Sequence, residues 1–285
     1  MNRRLLSGFL FCAVSLFAGC FREGEPLLFF CGSAVRVPMD EIIARYEKDT
    51  GRRISVTYGG SGTLLSQMEM ARRGDLYLAG SPDYIIKGEK KKLLVPGTER
   101  KVAYLVPAII VPRGNPAGIR AIEDLARPGV RVGMGNPETV CLGLYGTEIL
   151  DRAGLLEKVL GGTVVVFAKS CEDTAMLAVL RKVDAILGWD VFASWNPAEV
   201  EWIRLDPRRI PRISYVAMAL PVFAHDARVS REFMDYVAGQ EGKRILSAWG
   251  YCADENAARA HAPAAKIGGE YALPANYRAI LGAAR

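Results

Sequence analysis

Four loops of this 285-residue chain place small, polar or cysteine residues just before a predicted helix. The loops are Cys31-Gly32-Ser33, Gly60-Ser61-Gly62, Val140-Cys141-Leu142 and Ser170-Cys171-Glu172. The first amides of a helix have no partner within the helix, and the helix dipole places partial positive charge there. Each loop could therefore contact an anion. Glycine and serine are also ordinary turn and cap residues, so the argument depends on four such loops facing one cleft.

Cys31, Cys141 and Cys171 each lie in one of these loops. Their spacing does not match a zinc motif, and the chain has no Cys-x-x-Cys pair. Three interpretations stay open. The thiols are small buried side chains, or two of them form a disulfide such as Cys141–Cys171, or they are soft ligands for arsenite or a thiometalate.

Strands and helices alternate around the four loops, which predicts an α/β fold with largely parallel sheets. The apolar run Leu27–Phe30 predicts a buried strand, and the spacing over Pro38–Lys48 predicts a helix that Gly51 ends. A second helix is predicted over Ser230–Leu246. Ligands of open α/β sheets bind beyond the carboxyl ends of the strands, and the four loops are expected there.

Two crossings of the chain, near 104–107 and 210–215, predict two lobes around a cleft. Residues 27–106 and 213–252 are assigned to lobe 1, and residues 107–212 to lobe 2. The remainder, 253–285, is a C-terminal extension that is rich in alanine and weakly patterned. We expect it to wrap over the surface or to be mobile.

The N-terminus has the pattern of an export signal over residues 1–19. Arg3 and Arg4 precede the apolar run Leu5–Ala18, which is too short to span a bilayer comfortably. Leu16-Phe17-Ala18-Gly19-Cys20 resembles the lipobox of bacterial lipoproteins, which implies a lipid on Cys20 and a tether over 20–26. An ordinary cleaved signal is the alternative. We expect an extracytoplasmic protein, in the periplasm or at the cell surface, anchored to a membrane by this lipid.

The net charge of +6 does not indicate a nucleic-acid partner. Two of these charges, on Arg3 and Arg4, belong to the predicted signal. The other basic clusters are short and lack interleaved aromatic residues, so we interpret them as solvated surface.

Five segments resemble the periplasmic molybdate/tungstate-binding family: Phe30–Ser33, Tyr58–Leu65, Gly74–Leu78, Val132–Glu138 and Ala185–Gly188. The resemblance covers residues 27–251, and related oxyanion-binding proteins share the architecture. It implies a two-lobed periplasmic-binding-protein fold, each lobe a mainly parallel sheet flanked by helices. It also implies binding of molybdate or tungstate and delivery to an ABC permease, by a monomer that has no cofactor and takes a metal only as its oxyanion.

The resemblance also assigns roles at the site. Ser33 and Ser61 match the serines that donate their hydroxyls to the anion. Leu142 and Glu172 fall where backbone amides of the second lobe contact it. Neutral donors and helix dipoles would then hold the charge, and the Glu172 carboxylate should point away from the anion.

Two departures from the family concern the second lobe. The best-known members carry Pro-Ala at the place of Cys141-Leu142, and a tyrosine near Gly188-Trp189. Trp189 could donate its indole N–H or simply pack. Asp190 could accept a hydrogen bond, act as a further ligand or cap a helix.

Enzyme interpretations find less support. Gly59-Gly60-Ser61-Gly62-Thr63 lacks the final glycine of a nucleophile elbow. The two histidines, His225 and His261, lie in late segments away from the loops. We therefore expect a binding protein and not a cysteine or serine enzyme. A sensor that signals to a membrane receptor would share the same binding chemistry.

Overall fold

The computed structural model describes residues 25–283. The predicted signal segment 1–19, the predicted lipidation site Cys20 and most of the tether lie outside this range. Within the described range, no helix combines the length and the apolar character needed to cross a membrane.

The first sheet joins the early part of the chain to a late strand. Its strands are β1 (Leu27–Gly32), β2 (Ile54–Gly59), β3 (Leu76–Ala79), β4 (Arg100–Leu105), β10 (Arg212–Ala219) and β11 (Lys266–Ile267). The order is β11-β10-β3-β1-β2, and β4 also pairs with β10. Strand β1 runs parallel to β2 and β3, whereas β10 runs antiparallel to β3 and β4.

The second sheet uses the middle of the chain. Its strands are β5 (Pro107–Pro112), β6 (Val132–Gly135), β7 (Val164–Ala168), β8 (Ala185–Trp189) and β9 (Val200–Arg204), in the order β7-β6-β8-β5-β9. Strand β6 is parallel to β7 and β8, and β5 is antiparallel to β8 and β9. The antiparallel strands of both sheets flank the places where the chain passes from one sheet to the other.

Helices cover both sheets. They are α1 (Arg36–Thr50), α2 (Ser61–Ala71), α3 (Pro82–Lys90), α4 (Cys141–Arg152), α5 (Leu156–Lys158), α6 (Cys171–Val179), α7 (Phe192–Trp195), α8 (Ala227–Ala238), α9 (Gln240–Ala248), α10 (Glu255–Arg259) and α11 (Tyr277–Ala283). Helix α1 shows how sequence sets these bounds. It buries Met39, Ile42 and Tyr46, and it ends at Gly51, whose φ of 69° lets its amide bond the Glu47 carbonyl.

The prediction of one helix over Ser230–Leu246 was wrong. Two helices, α8 and α9, occupy this stretch, and Gly239 separates them in an extended conformation with ψ of −170°. The start of α9 packs closely against the end of α8, since a Cβ on Gly242 would lie 2.0 Å from the Val237 carbonyl oxygen.

The C-terminal extension packs on the molecule. Strand β11 pairs with β10, and Ala258, Ala262, Tyr277 and Ile280 are buried in a cluster with apolar residues of the second sheet. A larger buried cluster begins in the first sheet and continues through Cys141, Cys171 and Trp189. Apolar packing is therefore continuous between the two sheets.

Candidate functional site

All four predicted loops follow the carboxyl ends of strands that run parallel to a neighbour. Ser33 follows β1, and Ser61 begins α2 after β2, which lies beside β1. In the second sheet, Cys141 begins α4 after β6, and Cys171 begins α6 after the adjacent β7. The sheet order therefore places two loops side by side on each half of the molecule.

Ser33 and Glu172 meet across the two halves. The Glu172 amide donates a hydrogen bond to Ser33 Oγ at 3.2 Å, and Ser33 is only 1% exposed. Because the hydroxyl oxygen accepts this bond, its own proton remains for another acceptor. One donor group from each half is thus present at the same point.

Ser61 presents a second hydroxyl from the first half. Its Oγ accepts the Gly80 amide at 3.1 Å, and its carbonyl oxygen accepts the Tyr77 hydroxyl at 2.8 Å. The Ser61 hydroxyl also lies beside the Cys141 thiol, where hydrogen bonding opposes the rise in pKa of that thiol. Ser61 is 2% exposed, so both serines are shielded from bulk water.

The second half contributes the start of two helices. Leu142 and Glu172 are the second residues of α4 and α6, so their amides have no carbonyl four residues back within the helix. Ser170 caps α6 by accepting the Asp173 amide at 3.0 Å. Among the described residues, no side chain caps α4. The first turn of α4, which contains Leu142, can therefore donate to an acceptor that is not a capping side chain.

Glycines of the second loop lie directly against the other half. The Gly62 amide donates to the Thr139 carbonyl at 2.9 Å. A Cβ on Gly60 would lie 2.7 Å from the Lys169 carbonyl oxygen and 2.8 Å from that of Thr139. Only glycine allows this approach, and the two halves are closed on each other here. A cavity of 580 Å³ reaches this contact from the side of the C-terminal extension.

An ion pair between Arg36 and Glu172 lies on the solvent side of the site. Arg36 Nη1 donates to both carboxylate oxygens of Glu172, at 2.8 and 2.6 Å. Hydrogen bonding to this carboxylate raises the pKa of Arg36 further. The pair directs the Glu172 carboxylate to Arg36, while the Glu172 amide faces Ser33. Sequence reasoning did not single out Arg36, because a lone arginine at a helix start carries no distinguishing pattern.

The structure separates the three loop cysteines into a pair and a single residue. Cys141 Sγ and Cys171 Sγ are 3.6 Å apart, and all four cysteines of the described range are free thiols. Cys31 instead directs its thiol to the Gly32 carbonyl, at 3.7 Å. No three His, Cys, Asp or Glu residues of the described chain are close enough to hold a metal ion. The structure therefore pairs Cys141 with Cys171, and binding of a soft ligand by the loop thiols stays a prediction.

Two of the three loop thiols, Cys31 and Cys141, have a raised pKa. The pKa of Cys141 is raised well above its ordinary value by the hydrogen bond with Cys171 and by burial. Burial, with Asp40 nearby, likewise raises the pKa of Cys31. Both shifts favour the neutral thiol, at Cys31 and at Cys141.

Trp189 and Asp190 follow at the end of β8. Trp189 is fully buried, its ring meets the Tyr145 ring edge-on at 5.3 Å, and its Nε1 has no hydrogen-bond partner in the described structure. The Tyr145 hydroxyl is equally unpartnered there. Asp190 Oδ1 accepts the Val191 amide at 2.9 Å, and burial raises the pKa of Asp190 to about 7.

His225, the histidine with a carboxylate partner, lies at the opposite end of the strands of the first sheet from the four loops. His225 Nδ1 is 2.6 Å from Asp75 Oδ1, and Asp75 immediately precedes β3. The serine and cysteine loops lie at the carboxyl ends of the strands. The His225–Asp75 pair is thus separated from them by the length of a strand.

Known proteins resemble this chain in sequence and in fold. Residues 27–252 match the family described as bacterial extracellular solute-binding protein. The molybdate-binding protein ModA of Escherichia coli is 22% identical over 239 residues, which cover 80% of this chain and 89% of ModA.

Two solved structures share the fold. The sulfate-binding protein SubI of Mycobacterium tuberculosis matches with a TM-score of 0.71 at 15% identity, over 90% of this chain and 96% of SubI. The periplasmic molybdate-binding protein of Azotobacter vinelandii matches with a TM-score of 0.69 at 17% identity, over 80% of this chain and all (100%) of that protein. These similarities confirm the predicted two-sheet α/β fold of periplasmic binding proteins.

Proposed function

Because the chain belongs to the family of bacterial extracellular solute-binding proteins, we propose that it binds molybdate or tungstate outside the cytoplasm and delivers it to an ABC permease. The supporting observation is the meeting of Ser33 Oγ with the Glu172 amide, one group from each half, at 3.2 Å. A tetrahedral oxyanion between the halves would accept from both and would replace their weak mutual bond by two charge-assisted ones.

The chemistry of the donors favours an unprotonated dianion. Ser33, Ser61 and the amides of Leu142 and Glu172 are neutral donors, and helix starts supply partial positive charge. The charges of Arg36 and Glu172, which border the site, compensate each other. A hydrogen phosphate would need an acceptor for its proton, and leaving that proton unpaired in a buried site would cost affinity. Relatives named for molybdate and for sulfate fit this class of ligand.

Delivery would follow from closure. Gly60, Gly62 and the Arg36–Glu172 pair are contacts between the halves, so a ligand that strengthens them favours the closed form. A closed protein would present surfaces of both halves to a permease at once. The lobes proposed for this motion are 27–106 with 213–252, and 107–212.

Anchoring to the membrane through a lipid on Cys20 is part of the proposal. The residue lies outside the described structure, so the proposal depends on the sequence pattern. Replacement Cys20→Ser should release the protein into the soluble extracytoplasmic fraction. A protein that stays in the membrane fraction after this replacement would contradict lipidation at Cys20.

The binding site is tested by removal of one hydroxyl. Ser33→Ala should weaken molybdate binding by about 1–3 kcal/mol, because it removes a donor to a charged group. Ser55→Ala is the matched control, since Ser55 is exposed and lies near the start of β2, at the other end of the strand from Ser61. Isothermal titration calorimetry of both variants measures the difference. Equal affinities for Ser33→Ala and Ser55→Ala would contradict the proposed site.

A further inference from the structure

We propose that Cys141 and Cys171 form a dithiol site that binds a trivalent, thiophilic oxyacid of the arsenite class. The site adjoins the proposed oxyanion site but uses different atoms, so it gives the protein a second ligand class. The argument depends on the spacing of the thiols, on their position between the two halves and on the reaction of free thiols with a trivalent oxyacid.

The spacing suits one atom bonded to both sulfurs. Cys141 Sγ and Cys171 Sγ are 3.6 Å apart, which is wider than the S–S bond of about 2.05 Å in a disulfide. Both cysteines are the first residues of their helices, α4 and α6, which follow adjacent strands. The backbone thus holds the two thiols side by side, without dependence on a flexible loop tip.

The thiols also lie where the two halves meet. A Cβ on Gly80, at the end of β3 in the first sheet, would be 2.6 Å from Cys141 Sγ. The Ser61 hydroxyl is a further neighbour of this thiol from the first half. Cys141 is 1% exposed and Cys171 2% exposed in this closed form. Separation of the halves would expose both sulfurs, so a ligand can reach them by the same motion that admits the anion.

The reaction balances without an oxidant. Arsenite at neutral pH is the uncharged acid As(OH)₃. Each thiol would replace one hydroxyl group: an As–S bond forms, an As–O bond and an S–H bond break, and the thiol proton leaves with the hydroxyl as water. Two thiols would release two waters and leave one hydroxyl on arsenic. Arsenic stays trivalent and keeps that last hydroxyl.

The same features disfavour a divalent metal ion. Zinc needs deprotonated thiolates and four ligands in its structural sites, whereas the hydrogen bond with Cys171 and burial raise the pKa of Cys141. No third His, Cys, Asp or Glu of the described residues completes the site. A ligand that reacts with two adjacent free thiols and brings its own third substituent fits what is present.

The test uses sodium arsenite and the full chain, reduced with a phosphine because a thiol reductant would compete for arsenic. Native mass spectrometry should show one arsenic per chain, and thiol titration should show the loss of two free thiols. Cys141→Ser and Cys171→Ser should each weaken arsenite binding at least 100-fold. Cys252→Ser is the control, since Cys252 packs against a different buried cluster from the pair and its replacement should leave arsenite binding unchanged.

Absence of the arsenic adduct, or its survival in both single variants, would overturn the proposal. So would a Cys141–Cys171 disulfide that the phosphine cannot reduce in the folded protein. Titration of the same preparation with sodium molybdate separates this inference from the proposed function. Arsenite binding without molybdate binding would contradict the proposed function alone, and the reverse would contradict the dithiol site alone.

Discussion

The backbone amide of Glu172 donates to Ser33 Oγ at 3.2 Å and so joins the two sheets at the carboxyl ends of their strands. Ser33 follows β1 of the first sheet, and Glu172 lies in the first turn of α6, which follows β7 of the second. The Glu172 side chain turns the other way, to Arg36. Glu172 therefore offers its backbone amide to the site, while its carboxylate is paired with Arg36 outside the site.

The Arg36–Glu172 pair should respond differently to loss of each partner. Arg36→Ala leaves an unpaired carboxylate beside the anion, and we expect molybdate binding to weaken by ~1 kcal/mol. Glu172→Gln keeps the backbone amide but removes the negative charge, and we expect binding to tighten several-fold at low salt. Calorimetry at low and high ionic strength measures both effects, which salt should reduce. Equal weakening of molybdate binding by both variants would contradict an effect of charge on the anion and would show that the pair only holds the two halves together.

Gly60→Ala should prevent full closure without harming the fold. The φ of Gly60 is −68°, which alanine adopts readily, but its Cβ would lie 2.7 Å from the Lys169 carbonyl oxygen. We expect molybdate affinity to fall at least tenfold, ~1.4 kcal/mol, with unchanged thermal stability of the ligand-free protein. Gly162→Ala is the control, because a Cβ there meets nothing within 4 Å. Unchanged affinity in Gly60→Ala would contradict closure at this contact.

Arg212 stabilises the junction between the sheets and the C-terminal extension. It is 3% exposed, and it bonds Glu148 Oε2 at 2.5 Å, Asp83 Oδ1 at 3.2 Å and the Gly269 carbonyl at 2.7 Å. Arg212→Ala would remove the buried cation that lies between the Asp83 and Glu148 carboxylates, and we expect a loss of about 3–5 kcal/mol in the free energy of unfolding. Urea denaturation measures this loss.

The control for Arg212 is another arginine–glutamate pair. Arg209 bonds Glu123 at 2.8 Å, with 43% of the arginine side chain exposed. Arg209→Ala should change the free energy of unfolding by no more than about 0.5 kcal/mol. Similar losses in Arg209→Ala and Arg212→Ala would contradict the importance of burial at Arg212.

Asp190 should make stability depend on pH. Burial raises its folded pKa to about 7, above the ~3.9 of a free aspartate, so ionisation costs stability in the folded state. Protonated Asp190 contributes its full share to the free energy of unfolding below about pH 4, and this share is lost as the pH rises through 7. Asp190→Asn lacks this titration. Relative to the variant, the natural protein should lose stability in thermal melts between pH 4 and 7, and parallel pH profiles would contradict the pKa shift.

Sequence patterns predicted most of the elements that carry the loops. A continuous apolar run located β1, and helical spacing located α1, because both elements pack apolar residues against the core. Strands β4 and β9 were missed. They contain charged residues such as Arg100, Lys101 and Glu201, which obscure the apolar pattern, and only their pairing with β10 and β5 makes them strands.

The site could be predicted only as a set of loops. Its contacts between distant residues, such as Arg36 with Glu172 and Gly80 with Cys141, depend on how the two sheets close. The sequence also left Cys31 equivalent to Cys141 and Cys171. Adjacent strands β6 and β7 bring the latter two together, whereas Cys31 lies within β1 of the other sheet.

Calorimetric titration of the full chain with molybdate, tungstate, sulfate and phosphate tests the central claim most directly. The account predicts binding of molybdate or tungstate below micromolar concentration, and much weaker binding of phosphate, which carries a proton at neutral pH. Molybdate and tungstate have nearly the same size and charge, so either order between them is consistent with the site. Failure of both to bind below micromolar concentration would contradict the account.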